Sequence, residues 1–415
     1  MPSDCYAGLS LLFAPHPGEP VDAHLGKKCL AVLETRQKSL FSFSLHYFDL
    51  GHGLITGMSG VGKSFLLNFL ITNAQKYGPR TVIIDIGRSY EMLTRQCGGS
   101  YLPIALKERV FTINPFSLPL TASNQQFLFS LVKVLIESSG NFSMSDQDER
   151  ELFTQIGSLY LIDSSQRRLL TLLHILPRHL EPHLRRWTEG GQYGDLFDNV
   201  QNTLTFAQFQ TFDFAGMDEY PQILEPLLFY LLHRASKEIT DPASLGTFKL
   251  CVIDEAWRFL KNDTVKQYIV EAMKTWRKSN AAMLLATQSA VDLAANGMLQ
   301  IVADSCGTLI FLANPRLDRR QYREAFRLNE TELDLIAGLT PKRQMLIKRP
   351  DLSKVLELNV SAKDYWLFTN NAPDNELKRQ AFERLGFEKG LEYLATQKRA
   401  IDNPLSDQTT ERTML

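Results

Sequence analysis

The stretch Gly57-Met58-Ser59-Gly60-Val61-Gly62-Lys63-Ser64 decides the fold of this 415-residue chain. It has glycine at its first position, Gly-Lys at the sixth and seventh, and a hydroxyl residue at the eighth, which is the pattern of a phosphate-binding loop. Glycines let the backbone curl so that successive N–H groups point at phosphate oxygens. In such a loop Lys63 faces the β- and γ-phosphates of ATP, and Ser64 holds Mg²⁺.

The segments on either side of the loop are typical of a strand and a helix. Residues 52–56 form a short apolar run, and residues 65–71 carry the apolar face of a helix. Phosphates would then lie at a helix N-terminus, where the dipole favours anions. A chance glycine-rich turn is the alternative, and it would need neither flanking element. We therefore expect contacts with ATP from Gly57, Ser59, Gly60, Val61, Gly62, Lys63, Ser64 and Phe65.

Composition describes an ordinary soluble protein without a strong charge. The 45 basic and 46 acidic residues nearly cancel, so no global basic field points to nucleic acid. Five scattered cysteines without a CxxC spacing argue against zinc and favour a reducing compartment. The N-terminus lacks the positive start of a signal peptide, and the most apolar long stretch, residues 281–299, carries polar side chains. We therefore expect a cytoplasmic protein.

Hydrophobic patterning predicts an α/β fold with a mostly parallel sheet. Residues 1–120 should hold N-terminal strands and the first part of the core, and 121–205 should form an inserted all-helical subdomain. Residues 206–400 should complete the core with C-terminal helices, and 401–415 should be a disordered tail. Strands predicted at 9–13 and 41–45 should pair onto the sheet edge beside the nucleotide.

A second motif follows an apolar run at residues 250–253, which predicts a buried strand. The run delivers Asp254 and Glu255 to the carboxyl edge of the sheet, where open α/β sheets bind ligands. Asp254 would hold Mg²⁺ through water, and Glu255 would polarise the attacking water. The alternative is a strand followed by an acidic helix cap.

Two further residues are candidates for the catalytic apparatus. Gln288 follows the next predicted strand, where a neutral amide could contact both the γ-phosphate and the lytic water. Arg277 lies near the end of a predicted helix at 265–278 and could complete a neighbouring subunit's site. For Arg277 the alternative is a favourable interaction between a cation and a helix C-terminus.

Taken together, these segments resemble the C-terminal ATPase domain of the large conjugative-transfer ATPases of type IV secretion systems, the VirB-type, TraC/TrbE-like family. The similar segments run in family order from about residue 25 to about residue 397. Beyond the phosphate loop they are Asp85-Ile86-Gly87-Arg88-Ser89-Tyr90-Glu91, Gly98-Gly99, Asn114-Pro115-Phe116, Tyr193-Gly194-Asp195-Leu196-Phe197-Asp198-Asn199, Asp254-Glu255-Ala256-Trp257, Lys274-Thr275-Trp276-Arg277-Lys278-Ser279-Asn280 and Ala286-Thr287-Gln288-Ser289.

The resemblance implies a RecA-like P-loop ATPase that uses ATP and Mg²⁺ to power pilus assembly or substrate transfer. It implies other subunits of a secretion channel as partners, a position peripheral to the inner membrane, and a homo-hexamer in full-length relatives. Because family members usually carry a large N-terminal domain before this one, we expect only weak or monomeric assembly of this chain.

Three other functions remain open at this point. A DNA-translocating ring ATPase of the coupling-protein or chromosome-translocase type shares the same core, so DNA binding is possible. A scaffold that binds nucleotide without turnover is disfavoured by the intact Lys63, Asp254 and Glu255. A small-molecule kinase is disfavoured because Glu255 and Gln288 suit a water nucleophile.

Overall fold

The structure is a computed structural model that describes residues 16–104, 111–138, 140, 142–217, 220–255, 262–288, 293–294 and 297–397. The described residues fall into two compact units. The first unit takes its residues from Met1–Tyr77 and Gly307–Leu415, and the second from Gly78–Cys306. The predicted strand at 9–13, the predicted tail at 401–415 and the Ala256-Trp257 part of the second motif lie outside the described residues.

The strands follow the chain in this order: β1 Val21–Asp22, β2 Lys27–Lys28, β3 Ala31–Thr35, β4 Leu40–Phe43, β5 Gly53–Thr56, β6 Arg80–Asp85, β7 Ser100–Pro103, β8 Phe209–Asp213, β9 Lys249–Asp254, β10 Ala281–Thr287, β11 Thr308–Leu312, β12 Gln344–Arg349 and β13 Leu352–Glu357.

The α-helices are α1 Lys63–Ala74, α2 Glu91–Gln96, α3 Ala122–Glu137, α4 Asp146–Leu159, α5 Leu169–Ile175, α6 Glu181–Leu184, α7 Gly194–Phe197, α8 Pro221–Thr240, α9 Asp263–Trp276, α10 Leu299–Ser305, α11 Arg319–Phe326, α12 Glu330–Ala337, α13 Ala362–Phe368, α14 Ala372–Leu385 and α15 Phe387–Thr396.

The first unit contains a mixed sheet with strand order β4-β3-β13-β12-β11-β5. Strand β11 pairs with β5 in parallel, whereas the other neighbouring pairs in this unit are antiparallel. The strand predicted at 41–45 corresponds to β4, which lies at the sheet edge as predicted, whereas β3 was not predicted. The prediction that this edge lies beside the nucleotide loop is wrong, because β3, β13, β12 and β11 separate β4 from β5, the strand that leads into the loop.

The second unit contains a parallel sheet with strand order β10-β9-β6-β8-β7. Strands β8, β9 and β10 are buried along their whole length. The continuous apolar runs of β9 and β10 predict this for a parallel sheet covered on both faces, whereas β8 also buries Gln210 and Thr211. The predicted α/β class with parallel strands is confirmed. All carboxyl ends of this sheet lie at one edge, so the residues that end its strands are brought together.

Between β7 and β8 the described residues form helices and no strand. Polar side chains mark where these helices begin: Thr121 caps α3, and Ser145 with Asp148 forms a capping box on α4. Leu128, Leu131 and Leu135 of α3 are fully buried, as the helical spacing of the apolar residues predicts. Among the described residues, no helix has the length and apolar character needed to cross a membrane.

Candidate nucleotide-binding and hydrolysis residues

The predicted phosphate-binding loop lies between β5 and α1 in the first unit. Strand β5 ends at Thr56, and α1 begins at Lys63. Gly60 and Gly62 have φ angles of +76° and +104°, in a region that L-residues with a side chain rarely adopt. The sequence therefore places glycine where the backbone has to curl, as a loop around a phosphate requires.

The N-terminus of α1 suits an anion. Gly62 is the N-cap residue and has no side chain that could cap the helix, and the first turn of the helix contains no acidic residue. In α3 and α4 the side chain of the N-cap residue bonds a free N–H group at the start of the helix, whereas in α1 the N-cap residue leaves the positive end of the helix dipole available to an anion. Lys63 is buried and Ser64 half-buried in this first turn. These residues fit the phosphates of a nucleotide and an associated Mg²⁺.

Residues between positions 312 and 342, far from the loop in the sequence, contact the loop and the end of β5. A Cβ added to Gly57 would lie 2.7 Å from Cβ of Leu312, so only glycine fits against β11. The Val61 carbonyl accepts a hydrogen bond from Lys342 N at 2.9 Å. The Tyr322 hydroxyl lies 3.3 Å from Thr56 Oγ1 and accepts a hydrogen bond from Asn314 Nδ2 at 3.2 Å. Sequence analysis missed these supporting residues, which no local motif marks.

Two residues of the predicted loop differ in what their side chains contact. Ser59 is exposed at the tip of the loop. The ring of Phe65 instead packs against α13, with centroid distances of 6.0 Å to Tyr365 and 5.6 Å to Phe368. A contribution of Phe65 to phosphate binding would therefore come from its backbone N–H.

In the second unit, three aspartates end neighbouring strands and form a row at the carboxyl edge of the sheet. Asp85 of β6 pairs in register with Asp213 of β8, and Ile84 pairs with Ile253, which places Asp85 beside Asp254 of β9. Each of the three residues is only 2% exposed. Burial, reinforced by the nearby Asp254 and Asp213 carboxylates, raises the pKa of Asp85 to about 8 against the opposing N–H groups of Ser89 and Gly87.

Tyrosine hydroxyls donate to the two outer members of the row. The Tyr90 hydroxyl donates to Asp254 Oδ2 at 2.8 Å, and the Tyr101 hydroxyl donates to Asp213 Oδ2. Burial and this bond to Asp213 raise the pKa of Tyr101. Sequence analysis missed both tyrosines and the row itself. Part of the signal was present, because β6 contains an apolar run that ends in aspartate, as β9 does, and β8 also ends in aspartate.

The structure brings Glu255 and Gln288 together. Glu255 N donates to the Ala286 carbonyl at 3.1 Å, and Glu255 Oε2 accepts a hydrogen bond from Gln288 N at 3.2 Å. Because β9 and β10 are parallel neighbours, both residues lie at the same carboxyl edge. Glu255 has a φ angle of +61°, an unusual backbone conformation for a residue with a long side chain.

Arg277 lies at the opposite edge of this sheet. It is exposed and follows the last residue of α9, just before β10 begins at Ala281. The seven residues of β10 separate it from Gln288, a distance of about 20 Å at the usual rise of a strand. The structure therefore does not bring Arg277 to Glu255 and Gln288 within one chain.

The family is decided by the match to its P-loop domain. The model of the TraG P-loop domain matches residues 49–139 and 179–398. The chain belongs to the TraG P-loop domain family. The predicted resemblance to type IV secretion ATPases is confirmed by the curated relatives of this TraG P-loop chain.

The type IV secretion system protein virB4 of Bartonella quintana is 31% identical over 355 residues, which are 84% of this chain and 44% of that protein. The type IV secretion system protein PtlC of Bordetella pertussis is 28% identical over 366 residues, covering 81% of this chain and 44% of that protein. The TraG P-loop chain therefore spans less than half the length of these curated relatives.

Solved structures show the same fold. VirB4 of Thermoanaerobacter pseudethanolicus superposes with a TM-score of 0.66 at 17% identity, covering 83% of this chain and all of that one. The plasmid coupling protein TrwB in complex with ADP and Mg²⁺ superposes with a TM-score of 0.53 at 15% identity, covering 78% of this chain and 87% of that one. The predicted RecA-like P-loop NTPase fold is thereby confirmed for this member of the TraG P-loop domain family.

Proposed function

We propose that this chain is the ATP-hydrolysing motor part of a type IV secretion or conjugation system. The observation that carries the proposal is the N-terminus of α1, where the curled glycines, Lys63 and Ser64 form a phosphate-binding loop with no capping side chain. The curated relatives are named as type IV secretion proteins, which supports the cellular role. We further propose channel subunits at the inner membrane as partners, and a cytoplasmic location peripheral to that membrane.

Five of the predicted residues have catalytic or metal-binding roles in this proposal. Lys63 would neutralise the β- and γ-phosphates of ATP, and Ser64 and Asp254 would each contribute to holding Mg²⁺. A bound Mg²⁺ would supply positive charge beside the phosphates. Glu255 accepts a proton from the attacking water. The side-chain amide of Gln288 contacts the γ-phosphate and that water, and the bond from Gln288 backbone N to the Glu255 carboxylate supports this role.

The experiment that tests this proposal separates binding from hydrolysis. Glu255→Gln is expected to keep affinity for a fluorescent ATP analogue and to slow phosphate release by about 10²–10⁴-fold, because only proton transfer is lost. Asp254→Asn is expected to weaken binding only when Mg²⁺ is present. Loss of binding in both variants would contradict the division of roles, and phosphate release at the wild-type rate in both would contradict the proposed roles of Asp254 and Glu255 in hydrolysis. A wild-type protein that binds the analogue and releases no phosphate from ATP would contradict the proposed hydrolysis.

A DNA-translocating ring ATPase remains the alternative function. The likeness to TrwB is one of fold, and the formal net charge of −1 provides no general attraction for DNA. We therefore expect ATP turnover to be the same with and without double-stranded DNA at low salt. Turnover that rises with DNA would favour the alternative.

A further inference from the structure

The loop after β6 is built around the carboxylate of Asp85. Its Oδ1 accepts hydrogen bonds from Ile86 N at 2.8 Å and Gly87 N at 3.0 Å, and its Oδ2 accepts one from Ser89 N at 2.6 Å. A short side chain that binds several N–H groups of the residues following it fixes their conformation. These bonds therefore restrict the backbone conformation of the loop up to the residue before Tyr90.

Tyr90 itself is held from both ends. It is the N-cap residue of α2, and its carbonyl accepts hydrogen bonds from Thr94 N at 2.9 Å and Thr94 Oγ1 at 2.7 Å. Thr94 Oγ1 also lies 2.7 Å from Thr211 Oγ1 on β8. The side chain of Tyr90 is fully buried, and its hydroxyl donates to Asp254 Oδ2 at 2.8 Å.

We propose that Tyr90 is a positioning residue that fixes the orientation of the Asp254 carboxylate before nucleotide and Mg²⁺ bind. A hydrogen bond to one carboxylate oxygen sets the rotation of the group and thus the direction in which it meets ion-bound water. Tyr90 acts through Asp254 and contacts neither nucleotide nor ion. The inference rests on the proposed function, since it assumes that Asp254 helps to hold Mg²⁺.

The chain supplies a matched control for this bond. Tyr101 donates its hydroxyl to Asp213 at the same sheet edge, and Asp213 has no role in the proposed site. Tyr90→Phe and Tyr101→Phe each remove one tyrosine hydroxyl that bonds an aspartate at the end of a strand, although Tyr90 is fully buried and Tyr101 half-buried. A purely structural effect would appear in both variants, whereas an effect on Mg²⁺ would appear only in Tyr90→Phe.

The test measures binding of a fluorescent non-hydrolysable ATP analogue to the full chain as Mg²⁺ is titrated. Tyr90→Phe is expected to raise the Mg²⁺ concentration for half-maximal binding by about 10-fold or more, the effect typical of losing an outer partner of a metal ligand. Binding with a chelator present should be unchanged, and Tyr101→Phe should titrate like the wild type. An unchanged Tyr90→Phe titration, or an equal shift in both variants, would overturn the inference.

A double variant separates the inference from the proposed function. In an Asp254→Asn background, Tyr90→Phe is expected to cause no further shift, because its effect passes through Asp254. A further shift of equal size would overturn the positioning role. If Tyr90→Phe melts too low to assay, Thr94→Val, which removes the bond from Thr94 Oγ1 to the Tyr90 carbonyl and keeps the bond from Thr94 N, should shift the titration in the same direction. A wild-type titration of Thr94→Val would overturn the inference. If the nucleotide affinity of the wild-type protein does not change with the Mg²⁺ concentration, the proposed function is refuted instead.

Discussion

Glu255→Gly is expected to give a more stable protein than Glu255→Ala, which reverses the usual order of these residues. Glu255 has a φ angle of +61°, and this left-handed conformation costs a residue with a Cβ about 1–2 kcal/mol. Glycine avoids that cost but loses about 0.5–1 kcal/mol more in conformational entropy when the chain folds. Both variants lose the carboxylate and its bond from Gln288 N, so these losses cancel. The expected difference in unfolding free energy is about 1 kcal/mol in favour of glycine.

The assay is urea unfolding of both variants followed by tryptophan fluorescence, with midpoints compared at equal slope. Gln288 provides the control position, because it is exposed and does not have a positive φ angle. There the glycine variant should be the less stable by about 0.5–1 kcal/mol. If glycine is the less stable residue at both positions, the backbone of Glu255 stores no strain. Both Glu255 variants should also lose ATP hydrolysis, so the strained position would be one where stability and activity oppose each other.

Other residues give further predictions. Lys63→Ala should abolish ATP turnover and weaken ATP binding with little change in melting temperature, and wild-type turnover would contradict the assignment of the loop. A mixture of Arg277→Ala and Glu255→Gln subunits should recover part of the turnover that each variant lacks alone, because Arg277 at the opposite sheet edge can act only on the site of another subunit. Mixtures as inactive as either variant alone would count against this role. Burial lowers the pKa of His233 to about 3. Between that pH and about 6.5, His233 is therefore protonated in the unfolded chain and neutral in the folded chain. The contribution of His233 to the unfolding free energy should therefore fall toward acid by up to about 1.4 kcal/mol per pH unit, whereas the raised pKa of Asp85 acts in the opposite direction. The unfolding free energy of the wild type minus that of His233→Gln should accordingly decrease between pH 7 and 5 in denaturant unfolding.

The features that depend on a short continuous segment of sequence could be predicted. The loop from Gly57 to Ser64 specifies its own geometry, because glycines stand at positions that need positive φ angles. The strand before Asp254 and the strand before Gln288 are apolar runs of ordinary length, and adjacent parallel strands necessarily bring their carboxyl ends together. The contact between Glu255 and Gln288 follows from that geometry.

Features that depend on distant parts of the chain could not be predicted. The order of strands places β13, β12 and β11 between β3 and β5, although those three strands come some 270 residues or more after β3 in the sequence. The partner of Tyr90 depends on how Asp85 folds the loop before it. Phe65 stands within the nucleotide motif, yet its ring packs against a helix close to the C-terminal end of the described residues. No local pattern contains these pairings.

Because α1 packs against α13, the fluorescence of a tryptophan on α13 can report changes at the phosphate loop. The Phe65 ring lies 6.0 Å from that of Tyr365, and the Tyr365 ring lies 5.7 Å from that of Trp366. In the sequence, Trp366 is the one tryptophan within the first unit, since the others stand at positions 187, 257 and 276. A displacement of Phe65 when ligand enters the loop would change the surroundings of a single buried indole. Its emission could then follow occupancy in real time, without an attached dye, once the other three indoles are replaced.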